Sequence, residues 1–198
     1  MRFSKTAFSV FTALIAVPLA ADAAVLQWSA SQTNLTLAPG EQVTLTLYLN
    51  ESGTPAQIAP EDGLLSVGFS ITPRPSNNAT LGTFAPNTAI FSEVISNSST
   101  TTSAAFYGEI PFSATSGPIP DGSGNIILGT LEVIGGSAAG SFDFSDFGAG
   151  NQTVTVSGSG SLDSQIQDVI ISVAVPEPAA LGLLGITGML LVRRRTNV

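Results

Sequence analysis

The sequence has 198 residues, of which 43% are hydrophobic and 10% charged, and it contains neither cysteine nor histidine. Those two absences exclude disulfides, thiolate nucleophiles, cysteine zinc sites, the commonest general base and the Ser-His and Cys-His nucleophile pairs. The few basic residues stand at the ends, Arg2 and Lys5 against Arg193, Arg194 and Arg195, with Arg74 alone between them; residues 24–175 therefore carry a net charge of −11, a surface that repels phosphate backbones and argues against nucleic-acid binding.

Residues 1–23 have the layout of a signal peptide: a basic start at Arg2 and Lys5, an apolar run from Ala7 to Ala20, and small residues Ala21 and Ala23 around Asp22, with cleavage expected after Ala23. Beyond it, residues 24–174 are expected to form one ectodomain, since they show no repeat and no long linker. Helical periodicity is hard to find there. The clearest strand is Gln42 to Leu49, in which Val43, Leu45, Leu47 and Leu49 alternate with Gln42, Thr44, Thr46 and Tyr48 after the turn residues Ala38-Pro39-Gly40-Glu41. Further strands are predicted near 25–30, 64–72, 89–95, 103–109, 125–134, 140–144, 152–157 and 168–174, and the Ser/Thr run from Ser96 to Ser103 reads as a long flexible loop. Many short strands between closely spaced turns predict an all-β fold, a single β-sandwich.

Candidate sites in this domain are few. Asp121-Gly122-Ser123-Gly124-Asn125 spaces oxygens as calcium loops do, but Ile126 stands where an EF-hand needs glycine and no closing glutamate follows, so a polar turn is the better account and no metal or cofactor is expected. Phe142, Phe144 and Phe147, interleaved with Asp143 and Asp146, can be read as an aromatic platform for sugar with acids beside it, but phenylalanines at a period of two are first of all core residues. Trp28, Tyr48 and Tyr107 are better suited to stacking on sugar because each has a polar handle, and Tyr48 is the candidate ligand contact, being on the polar phase of its strand. An enzyme would have to run on carboxylates, and the close pairs Glu61-Asp62 and Asp143-x-x-Asp146 read as ordinary surface charge, so no catalytic residues are expected.

The C-terminus runs Val175-Pro176-Glu177-Pro178, then Ala179 to Val192 without a charge, then Arg193, Arg194 and Arg195. Pro178 suits the first turn of a helix and Glu177 complements its positive end, so a helix is expected over 178–195. The 14 uncharged residues reach about 21 Å and the stretch from Pro178 through the arginines about 27 Å, a marginal transmembrane helix with the arginines held in the cytoplasm.

This tail, residues 175–198, resembles the PEP-CTERM sorting signal in the order of its triplet, short helix and arginine cluster. The resemblance implies export through the inner membrane, recognition of Pro176, Glu177 and Pro178 by an exosortase-type processing enzyme, retention by Arg193, Arg194 and Arg195, and final residence at the cell surface or in the extracellular matrix. The ectodomain is similar to cohesin-like and carbohydrate-binding-module-like sandwiches, on the segments Gly63 to Ile71, Gly129 to Val133 and Gly140 to Phe144, which implies a cohesin-like or jelly-roll-like fold. The expected function is a structural or adhesive role in an exopolysaccharide layer, with extracellular polysaccharide as partner. A dedicated carbohydrate-binding module is the alternative, and a carboxylate-based polysaccharide-active enzyme the third.

Overall fold

Alternating apolar and polar side chains, with Gly, Pro and Asn between the runs, give thirteen strands among the described residues of the computed structural model, which are 25–54, 56–58, 63–91, 93–110, 117–147, 154–156 and 160–176. In chain order they are β1 (Val25–Ala30), β2 (Asn34–Thr36), β3 (Gln42–Ser52), β4 (Leu64–Pro73), β5 (Thr80–Pro86), β6 (Glu93–Ser99) and β7 (Ala104–Glu109). The second half adds β8 (Asn125–Ile134), β9 (Gly140–Asp146), β10 (Thr155–Val156), β11 (Gly160–Ser161), β12 (Ile166–Gln167) and β13 (Val169–Ala174). One sheet has the order β12-β1-β3-β8-β5. In the other, β6, β7 and β4 are neighbours in that order, β9 and then β10 follow the far edge of β4, and β13 and β2 lie beyond β9.

The first and last strands of the domain run side by side. Leu26 and Gln27 pair in parallel with Ile166 and Gln167 in one sheet, and Asn34, Leu35 and Thr36 pair in parallel with Ser172, Val173 and Ala174 in the other. Both ribbons therefore cross between sheets. Val25 lies beside Ser52 at one end of the sandwich, whereas Ala174 accepts the N–H of Leu37 at the opposite end, next to the turn that precedes Gly140.

The inward phase of each strand builds one core. Leu45, Leu47 and Leu49 of β3 face Phe69 and Ile71 of β4 and Phe142 and Phe144 of β9, all fully buried. Phe69 is the centre of this layer, its ring 5.2 to 5.9 Å from those of Trp28, Phe84, Phe106 and Phe144. Edge-to-face rings at such spacing add to the burial of apolar area. Along one side the two sheets are joined directly: Asn97 Nδ2 of β6 donates to Phe84 O of β5 at 3.4 Å, and Leu81 N donates to Thr101 O at 3.0 Å.

The all-β two-sheet sandwich is as expected, with two corrections. The strand predicted at 89–95 is β6, which begins at Glu93 and continues to Ser99, so the run from Ser96 to Ser103 is not a long loop. Only Thr100 to Ser103 turns, closed by Thr100 N to Ser103 O at 2.7 Å, while Ser96 to Ser99 pair with β7. A polar strand is stable there because β7 satisfies its backbone and neither face has to be buried. Strands β2, β5, β11 and β12 are additional to the predicted set. The signal peptide with Ala21 and Ala23, and the tail from Glu177 through Pro178 to Arg193, Arg194 and Arg195, lie outside the described residues.

Candidate functional site

The period of two along β1, β3 and β7 sends the three polar aromatics to three different places. Trp28 is on the inward phase of β1 and fully buried, so it cannot stack on a ligand. Tyr48 is half-buried on the outer face of the five-stranded sheet, between Ser29 of β1 and Ile127 of β8, with the Thr46–Thr130 pair one step along. Tyr107 is half-buried on the outer face of the other sheet. The two tyrosines thus belong to opposite faces and form no common platform.

The Tyr107 face is the richer in chemistry. Tyr107 pairs with Gly68, whose lack of a side chain leaves the ring room over the sheet, and with Ser96 of β6 on its other side. Its hydroxyl donates to Glu109 Oε1 at 2.7 Å, and burial, then this carboxylate, push the phenol above its ordinary range. Glu109 in turn stands opposite Glu93 and Ser66, and Ser66 Oγ is 2.8 Å from Thr155 Oγ1. Farther along β4, Ser70 Oγ donates to Asp146 O at 3.0 Å. Ser66 itself is buried, so the groups this face offers around the one aromatic ring are the remaining hydroxyls and the carboxylates, as hydrogen-bond acceptors beside a stacking surface.

The acids of β9 part company. Asp143 points outward, where its Oδ1 is 3.5 Å from Arg74 Nε, an exposed pair of small energetic consequence. Asp146 shares the inward phase of Phe142 and Phe144 and accepts the indole N–H of Trp28 at 3.1 Å. Burial and then the Asp163 carboxylate push Asp146 up to about 6, against the lowering effect of the Trp28 hydrogen bond. Asp143 and Asp146 are therefore not a catalytic pair, because the sheet stands between their side chains. Glu61 and Asp62 lie outside the described residues.

Asp121 forms the polar turn expected before β8: its Oδ1 accepts the N–H groups of Ser123 at 2.8 Å and Asn125 at 3.0 Å, and Asp121 O accepts that of Gly124. Phe142 and Phe144 are core, and Phe147 is half-buried. Of the triplet only Pro176 is described, exposed two residues past the end of β13.

No protein-family model matches the chain, and no curated protein matches it. The chain is similar to solved structures instead. The seventh ScaB type I cohesin from Pseudobacteroides cellulosolvens is 12% identical with a TM-score of 0.46, covering 78% of this chain and 95% of that one. A type II cohesin domain from the cellulosome of Acetivibrio cellulolyticus is 10% identical with a TM-score of 0.46, covering 75% and 94%. A chain of the CaDoc0917–CaCohA2 complex is 19% identical with a TM-score of 0.47, covering 77% and 99%. None of these likenesses assigns a role to a residue of this chain.

Two polar residues matter structurally beyond what the sequence suggests. Glu51, 8% exposed, continues the inward phase of Leu45, Leu47 and Leu49 at the end of β3; its Oε1 accepts the N–H groups of Gln57 and, at 3.1 Å, Ile58. Asp146 had a readable signal, an acid on the core phase two residues after Phe144, whereas its partner Trp28 is 118 residues away.

Proposed function

We propose that this chain is an exported surface or extracellular-matrix protein, sorted and processed at Pro176-Glu177-Pro178, whose sandwich serves as a structural and adhesive element of an exopolysaccharide layer. The observation that carries the adhesive part is the Tyr107 face, where a ring over Gly68 is bordered by Ser96, Thr155, Glu93 and Glu109. Sugars are held by aromatic stacking and by carboxylate and hydroxyl acceptors. The net charge of −11 over residues 24–175 repels acidic polymers, so the fitting polysaccharide is neutral or cationic. What supports the sorting part is the sequence of the tail, together with the end of β13 at Ala174: a cut beside the triplet severs no strand.

In a host with an active exosortase, the Pro176→Ala, Pro178→Ala variant is expected to accumulate as a longer, membrane-held precursor on a blot while the parent chain yields a shorter form, because the alanines let helix continue back through Glu177. Equal masses for the two chains would reduce the tail to an anchor. The carbohydrate-binding-module reading is favoured by Tyr48, which stands beside the exposed Ile127 on the other face. Glycan-array binding that saturates on one defined sugar and is lost in Tyr48→Ala supports that reading; broad binding lost in Tyr107→Ala supports the adhesive one.

A further inference from the structure

On the outer face of the five-stranded sheet the register brings four amide side chains into one line. Gln167 of β12 stands beside Gln27 of β1, Gln27 beside Asn50 of β3, and Asn50 beside Asn125 of β8. All four are on the outward phase, because their neighbours Ile166, Leu26, Leu49 and Ile126 are buried in the core. The line crosses the strands, and at about 4.8 Å per strand it reaches roughly 14 Å. Two residues along β3 and β8, about 7 Å away on the same face, Tyr48 pairs with Ile127, whose side chain is exposed.

The row is not closed on itself. Asn50 Nδ2 donates to Asn125 Oδ1 at 3.0 Å and to Gly124 O at 3.4 Å, which fixes both asparagines and leaves Asn50 Oδ1 as an acceptor and Asn125 Nδ2 as a donor. The amides of Gln27 and Gln167 and the hydroxyl of Tyr48 have no hydrogen-bond partner among the described residues, whereas the hydroxyl of Tyr107 on the opposite face is taken by Glu109. Neither row carries a charge.

We propose that this row, with Tyr48 and Ile127 beside it, is a track for an extended, neutral, β-1,4-linked hexose chain laid across the strands. Such a track rests on the carbohydrate-binding reading of the Tyr48 face and gives that face a ligand class. In an extended chain of equatorial linkages each pyranose ring advances by nearly the strand spacing, so successive rings meet successive amides. Each ring presents hydroxyls to the amides, which offer a donor and an acceptor side by side, and its C–H face to the Tyr48 ring and to Ile127. With no charge in either row, nothing there rewards a carboxylate or an ammonium group, and the acidic domain repels polyanions.

The test is calorimetric titration of the full-length protein with cello-oligosaccharides and manno-oligosaccharides of two to six rings. In at least one of the two series, affinity is expected to rise with chain length and level off at about four rings, one for each strand of the row. Gln27→Leu, in the middle of the row, should weaken binding of the six-ring sugar about threefold to tenfold, the loss of one or two hydrogen bonds. Gln167→Leu, at the exposed edge, should bring the levelling point back to about three rings and leave the affinity for the two-ring sugar unchanged, a shift that a merely structural role would not produce. Tyr48→Ala should abolish binding at every length, and melting temperatures near that of the parent show that each variant is folded. No binding of either six-ring sugar overturns the track and the carbohydrate-binding reading together. Binding that is lost in Tyr48→Ala yet unchanged in Gln27→Leu and Gln167→Leu overturns the track and leaves that reading in place.

Discussion

The Trp28 indole and the Asp146 carboxylate, 3.1 Å apart, join β1 of one sheet to β9 of the other at the border of the aromatic layer around Phe69. Trp28 lies against Phe144, with centroids 5.2 Å apart and planes 26° from parallel, so the hydrogen bond and the stack fix the ring together. Trp28→Phe removes the donor and leaves unfilled volume, and should cost about 2 to 4 kcal/mol. Because the lost bond favours the ionised carboxyl, the loss should be larger at about pH 7 than at about pH 4.5, measured by urea unfolding followed by far-ultraviolet circular dichroism.

Glu51 pins the segment that leaves β3. Its Oε1 accepts two backbone donors, Gln57 and Ile58, and Ile58 is fully buried. Glu51→Ala orphans both donors and should lower stability by about 2 to 3 kcal/mol. The same change should open the chain to protease between Gly53 and Gly63, read from the fragment masses; Glu51→Gln, which keeps an acceptor, should lose less.

Gly124 has a φ of +78°, and a Cβ there would come within 2.2 Å of Glu51 O. Both the left-handed backbone and the backbone contact oppose any side chain, since neither can relax by rotating a rotamer. Gly124→Ala should cost at least about 2 kcal/mol by thermal unfolding. Gly122 in the same turn has nothing within 4 Å of its Cβ position, so Gly122→Ala is the matched control and should leave the melting temperature nearly unchanged.

Replacing Arg193, Arg194 and Arg195 together by glutamine removes the charge expected to hold the short tail helix in the cytoplasm. Full-length, uncleaved protein should then appear in the periplasm or the medium. Normal maturation with unchanged membrane retention would show that the arginines do not serve as the stop.

Where one face of a strand is buried, the sequence states it plainly. The alternation of β3 and the boundaries of β1 and β8 are legible because each carries apolar residues at every second position and is bounded by turn chemistry. β6 is not legible in this way, since every residue from Glu93 to Ser99 except Ser96 is exposed and its pairing to β7 is a property of the partner. β5 contains Gly82 and Pro86, which locally read as breakers, yet Gly82 is needed because a Cβ would meet the Glu132 side chain at 2.6 Å. The outward phase of Tyr48 and Tyr107 could be read from spacing; that they occupy opposite faces could not, because it depends on which sheet each strand joins.

The parallel pairing of the terminal strands has a mechanical consequence. A load applied between Val25 and Ala174 pulls the β1–β2 ribbon one way and the β12–β13 ribbon the other, along their common axis. The hydrogen bonds between them lie across that axis and are strained together in shear, so they must rupture as a group before the chain can extend. Unzipping them one at a time would require pulling both ribbons from the same end, and the two ends of the domain are at opposite poles.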